Sequence, residues 1–377
     1  MRAPATVLLA AAAAVAALSA GSLLVACGSD QLSGLAKVEL LRSLVSASGS
    51  GRWRATGIDT FEVWVCDVPT DSTAAIYGGL PLRRQFDPAR LARLVSKRVP
   101  GYFETVSGGR YRPEFVAGGV VTMGTNDEPL SCIDRAIRRA GRTTRAVLVV
   151  ANAEHAQGHP GGTGSAGEGP KSGGAAPVSV TRRYVYIGAA DFAPEWGDDP
   201  PIDLIEHEIG HSLGWSHSGV GSNQSDEYSS PVDVMSNSAA PRLVNPERRD
   251  GPNPLLLHRL LSGWLPTDAV LAVDDDLRRE LQPSMASSGI RMLALAIDDR
   301  RFITVERLTV EGFNDHLPHE GLAVHEVVVV VGGVIDSIVP LHGASDSLPL
   351  LQRGDSFVGR GWSVTFMLDG SVEAVRT

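Results

Sequence analysis

Cysteine is scarce in this chain, excess positive charge is missing, and only one apolar stretch approaches the length of a membrane span. Three cysteines in 377 residues leave room for one disulfide at most, so the fold must rest on a buried core. Lysine and arginine total 34 against 43 aspartates and glutamates, a formal net charge of −9. That lacks the basic footprint a nucleic-acid partner needs. After residue 20 no run reaches the roughly 20 apolar residues of a spanning helix. The glycine-rich segment at 155–177 is followed by no Gly-Lys-Ser or Gly-Lys-Thr, so it does not read as a phosphate-cradling loop. What is present is an ordinary globular balance of 43% hydrophobic and 20% charged residues, in a length that suggests two or three domains.

The N-terminus carries Arg2, an apolar stretch at 7–20, and then Leu24-Val25-Ala26-Cys27-Gly28-Ser29-Asp30. A basic start, an apolar middle and small residues before the cysteine form an export signal. The last part resembles the lipobox of bacterial lipoprotein signals. The resemblance implies cleavage after residue 26, a diacylglycerol on the Cys27 thiol, and a mature protein that is extracytoplasmic and lipid-anchored to the cell membrane. A plain secretory signal or an uncleaved anchor is the alternative. Cys66 and Cys132 then remain as an even pair in an oxidising compartment, open to a disulfide or to two buried free thiols.

Residues 28–56, with serine and glycine clusters around a short amphipathic stretch at 35–45, read as a tether. Residues 61–68 alternate Phe61, Val63 and Val65 on one face, as a half-buried strand does. Asp87 and Pro88 open a helix to about residue 99, Asp87 as N-cap and Pro88 at the first helical position. A short helix follows Ser131, and 146–150 is a buried strand. The segment 155–177 has no means of burying a core and reads as a mobile surface loop. Order returns at 183–187, where Tyr184 and Tyr186 share a face. Beyond residue 266, strands at 292–297, 302–310, 323–331, 334–339 and 362–368, separated by turns, predict a small all-β sandwich.

The chemistry concentrates in His207-Glu208-Ile209-Gly210-His211-Ser212-Leu213-Gly214-Trp215-Ser216-His217. Asp198-Asp199-Pro200-Pro201 reads as the start of its helix. At i and i+4, His207 and His211 share one helical face and can close on one zinc ion at about 2.0 to 2.1 Å per bond. Gly214 can end the helix at positive φ, and His217 returns as a third ligand. Three neutral ligands leave one vertex to water, the arrangement of a catalytic site. Glu208, beside the first ligand, is placed to take a proton from that water and deliver it to a leaving amine. His258 and His325 lack such spacing and read as structural. Asp198, Asp199 and Asp274-Asp275-Asp276 read as solvated turns rather than calcium ligands.

This segment resembles the metzincin zinc signature, and Pro231-Val232-Asp233-Val234-Met235-Ser236 resembles the Met-turn of that clan. The resemblance implies that Met235 forms a hydrophobic floor beneath the zinc. One departure is Asn237, where some members place a tyrosine that assists the oxyanion. Within the clan the likeness is to gametolysin-like and immune inhibitor A-like bacterial peptidases. It is carried by Glu227-Tyr228, by His258-Arg259-Leu260-Leu261-Ser262-Gly263-Trp264-Leu265-Pro266, by Phe302-Ile303-Thr304-Val305-Glu306-Arg307 and by the run from Leu317 to His325.

The expected architecture is α+β. A signal occupies 1–26 and a tether 27–56. A metzincin-like catalytic domain, a mixed twisted sheet plus the active-site helix, covers 57–266, and a smaller β-rich sandwich-like domain covers 267–377. The expected function is a monomeric, Zn2+-dependent endopeptidase acting on extracellular polypeptides, with His207, His211 and His217 as ligands and Glu208 as base. The alternative is a non-catalytic, surface-anchored binding or adhesion protein on the same fold, which would have no need of Glu208.

Overall fold

The computed structural model describes residues 34–49, 55–78, 83–159, 161–166, 182–219, 228–330, 334–341 and 350–377. The export signal, Cys27, Glu227 and the second half of the glycine-rich segment lie outside these residues. The protein is a mixed α+β fold with three sheets among the described residues.

Helix α1, Glu39–Gly49, overturns the tether reading of 28–56 for its described part. Leu35, Val38, Leu41 and Leu44 follow one another at intervals of three, close to one face of a helix. All four are buried against Leu255, Leu256, Val270, Phe302 and Val327. The stretch is amphipathic because it has a face to hide.

The first unit is a five-stranded sheet in the order β2-β1-β3-β5-β4. Its strands are β1 Gly57–Asp67, β2 Tyr111–Thr122, β3 Ala146–Ala151, β4 Gly162–Ser165 and β5 Arg183–Ile187. The first, second, third and fifth pair in parallel, and β4 runs antiparallel to β5 at one edge. Every residue of β3 is buried, as a parallel strand covered on both faces requires. On one face Phe61, Val63, Leu148, Val150 and Ile187 meet helices α2 Pro88–Ser96 and α3 Val99–Val106. On the other, Trp64, Cys66, Val147, Val149 and Tyr186 meet α4 Pro129–Arg139. Cys66 of β1 and Cys132 of α4 are joined by a disulfide, with Cα atoms 6.0 Å apart. Asp87 caps α2 through the backbone N–H groups of Ala89 and Arg90, but the helix stops at Ser96 and a second one starts at Val99.

Helix α5, Asp203–Ser212, packs Ile205 and Ile209 into the first of these cores. It begins later than the acid-rich run at 198–201 suggested. Asp198 and Asp199 are instead paired with Arg90 (3.2 Å) and Arg98 (2.7 Å), and Asp203 and Glu206 are the acids of the first turn. Short helices α6 Ala240–Val244 and α7 Leu256–Leu261 follow.

The C-terminal unit is a sandwich. One sheet has the order β11-β10-β9-β8-β6, from β6 Val270–Val273, β8 Met292–Ala296, β9 Arg301–Leu308, β10 Gly321–Val330 and β11 Val334–Pro340. The other has the order β12-β13-β14-β7, from β7 Leu277–Glu280, β12 Ser356–Gly359, β13 Trp362–Phe366 and β14 Ser371–Arg376. Leu293, Leu295, Ile303, Val305 and Val324 face Trp362, Val364, Phe366 and Val372 between the sheets. The outer face of the larger sheet is covered by α1 and α7.

The glycine-rich segment is also not loop throughout, because residues 162–165 form β4. The strand lies directly on α5. A Cβ at Gly164 would sit 2.9 Å from His211 Cβ and from the Glu208 carbonyl carbon, and one at Gly162 would sit 2.7 Å from Glu208 Oε1. Glycine is there to let two backbones touch.

Candidate metal centre

The histidines of α5 are set by helix geometry. His207 and His211 project from consecutive turns, and their Nε2 atoms are 3.1 Å apart. The helix ends in a Schellman arrangement. Gly214, at φ 85°, donates its N–H to the His211 carbonyl at 2.9 Å, and Trp215 donates to the Gly210 carbonyl at 3.0 Å. The turn brings back His217, whose Nε2 lies 2.8 Å from that of His211 and 3.2 Å from that of His207. Two nitrogens bound tetrahedrally to one zinc at 2.0 to 2.1 Å are separated by about 3.3 Å. The three histidines are therefore close enough to bind one metal ion.

Their tautomers suit that task. His207 Nδ1 is 2.7 Å from the Val234 carbonyl and His211 Nδ1 is 2.9 Å from the Trp215 carbonyl. A carbonyl only accepts, so each Nδ1 carries the proton and each Nε2 presents its lone pair inward. Burial pushes His207 down to about 4, with the His217 ring adding to the effect, and holds His211 well below its ordinary value. Both rings are neutral at physiological pH, as ligands must be.

Glu208, next to His207, points toward β4. Its carboxylate lies in a 200 Å³ cavity shared with His207, Leu204, Gly162, Tyr228 and Ser236. Burial raises its pKa well above the ordinary carboxylate range. A larger cavity of 410 Å³ between Phe86, Leu91 and Phe192 contains none of the histidines, so size alone does not identify the site.

Met235 is fully buried and lies under the helix against Gly210, where a Cβ would run into its sulfur. The segment carrying it supplies the Val234 carbonyl for His207, and its Met235 carbonyl accepts from Ser218 N–H at 3.3 Å. One residue went unassigned by sequence reasoning. The Tyr228 hydroxyl is 3.3 Å from His217 Nε2, and its ring packs on His217 and His207 with centroids 5.1 and 5.9 Å away. No spacing rule would have found it, since it reaches the site by tertiary folding from seven residues before Met235.

His258 and His325 are fully buried and are not members of the cluster. His258 stacks on Trp215 at 5.4 Å, which supports the turn after α5. Asp274 pairs with Lys37 at 2.6 Å, and an Asp276 oxygen accepts from Arg376 N–H.

No protein-family model matches the chain, and no curated protein does. Among solved structures the chain is similar to one described as a chaperone–substrate complex, at 14% identity and a TM-score of 0.27, over 54% of this chain. The chain spans 33% of the length of that neighbour. A likeness of that size carries no argument, so the functional reading rests on the chain's own residues.

Proposed function

We propose that the protein is a zinc-dependent endopeptidase of metzincin type, lipid-anchored through Cys27 outside the cytoplasmic membrane, that hydrolyses extracellular polypeptides. The observation that carries this reading is the approach of three Nε2 atoms to within 2.8 to 3.2 Å of one another, with the Glu208 carboxylate in the adjoining cavity. Three neutral nitrogens and no thiolate suit a zinc site with an open vertex rather than a closed structural one. When bound, zinc would lower the pKa of a water to about 7 and polarise a carbonyl oxygen.

The chain's residues supply the rest. Glu208 accepts a proton from the attacking water and passes it to the leaving amine. The Tyr228 hydroxyl is a donor for the oxyanion, the role left open by Asn237. Strand β4 offers a sheet edge beside Glu208, along which an extended substrate can add as a further strand through main-chain hydrogen bonds.

Glu208→Gln is the direct test. It should retain metal and lose at least about 100-fold in turnover of casein-like substrates, the lower range for a general acid–base group. Undiminished turnover would remove Glu208 from the chemistry.

A further inference from the structure

His207 and His211 are placed by their helix, but His217 sits on irregular chain and needs something else to hold it. The residue that follows it provides the hold. Ser218 is fully buried, its hydroxyl donates to an oxygen of Asp233, and its N–H donates to the Met235 carbonyl. Asp233 is itself fully buried and accepts at its other oxygen from Leu255 N–H at 3.2 Å. His258 Nδ1 stands 3.7 Å from the carboxylate. Ser218 also forms a single parallel bridge with Ile338 of β11. The residue after Asp233 is Val234, whose carbonyl fixes the His207 ring. One buried carboxylate thus ties together the loop of the third histidine, the turn beneath the first, and the start of α7.

We propose that Asp233 and Ser218 are positioning residues that hold His217 ready for the metal, so that binding does not have to order the loop. The inference rests on reading the three histidines as a metal site. Its reasoning is general. A ligand fixed by outer contacts binds more tightly than one that must be ordered on binding, and removing such contacts typically costs 10- to 100-fold in metal affinity. A hydrogen bond between two buried groups that water cannot reach is a strong way to fix a loop.

The test is metal affinity measured on the full chain. Zinc dissociation constants are taken by competition with a chromophoric chelator, and the visible absorption of the cobalt-loaded protein reports coordination. Ser218→Ala should weaken zinc binding by about 10- to 100-fold and alter the cobalt spectrum. Asp233→Asn keeps a bond to the serine hydroxyl by donating from its amide, so it should lie closer to the wild type. Ser107→Ala removes another fully buried hydroxyl, one bonded to Arg110 and Tyr111 N–H. It controls for general loss of stability and should leave affinity and spectrum unchanged. Wild-type affinity in Ser218→Ala overturns the proposal alone, as does an equal loss in Ser107→Ala. A wild-type chain that holds neither zinc nor cobalt overturns the metal site with it.

Discussion

The contact between β4 and α5 makes a sharp prediction at Gly164. An added Cβ would stand 2.9 Å from His211 Cβ and the Glu208 carbonyl carbon, with the Glu208 carbonyl oxygen closer still, where ordinary contact begins at 3.4 Å. The neighbours are backbone and a Cβ, so no flexible tip can turn aside. The strand has to lift by half an ångström or more, and overpacking of this kind costs about 1 to 3 kcal/mol. The same shift moves the sheet edge away from Glu208. Since a misplacement of about 1 Å can cost on the order of 100-fold in rate, Gly164→Ala should lose roughly 10- to 100-fold in kcat/KM against a casein-derived peptide. Metal content, set by the helix and the turn after it rather than by the strand that lifts, should stay at the wild-type level. Thr163 is exposed between the two glycines, and Thr163→Ala is the matched control with near-normal stability. Denaturant unfolding, zinc analysis and peptide turnover on both variants decide the matter. A Gly164→Ala protein as stable and active as wild type would refute the packing of β4 on the helix.

Other predictions follow from single features. Tyr228→Phe should lower kcat on the order of 100-fold with zinc content unchanged, as loss of one oxyanion donor does; equal kcat in both proteins would exclude the hydroxyl from the reaction. Replacing Cys66 and Cys132 by serine opens a link across 66 residues and should lower the unfolding free energy by about 4 kcal/mol, read from denaturant curves. Burial raises Glu306 to about 8, so the folded state keeps a proton that the unfolded chain has released above about 4.5. That contribution is full at pH 4 and is lost as pH rises toward 8. Glu306→Gln should therefore gain stability relative to wild type between pH 5 and pH 8, and a constant difference would contradict the burial argument.

The histidine cluster was legible because its members obey local rules. Two histidines four apart on a helix, a glycine to stop it and a third histidine after the turn need no knowledge of the rest of the chain. Strands β1, β3 and β5 and most of the larger sandwich sheet were legible for the same reason, as short runs of branched apolar residues. The omissions and misreadings share a cause. Strand β2 contains Pro113 and the pair Gly118-Gly119, residues that argue against a strand but are admitted where a sheet ends. Strand β4 is Gly-Thr-Gly-Ser, a loop composition by any local measure, and becomes a strand because β5 pairs with it and α5 lies against it. The acids at 198 and 199 suit a helix start until Arg90 and Arg98 are folded beside them. The stretch at 35–45 was seen as amphipathic, but its partner surface lies more than 200 residues away in sequence. Tyr228 belongs to the same class, being placed by tertiary contact alone.

Docking of α1 on the outer face of the larger sandwich sheet leaves little chain between Cys27 and the folded body. From residue 27 to Leu35 there are eight steps of chain, which extend to no more than about 28 Å. If Cys27 carries the lipid, the sandwich must ride within that height of the bilayer surface, and the protein cannot roam above it. The histidine cluster is then held at a restricted elevation, so membrane-proximal stalks and loops of neighbouring surface proteins would meet it more often than polypeptides free in the surroundings.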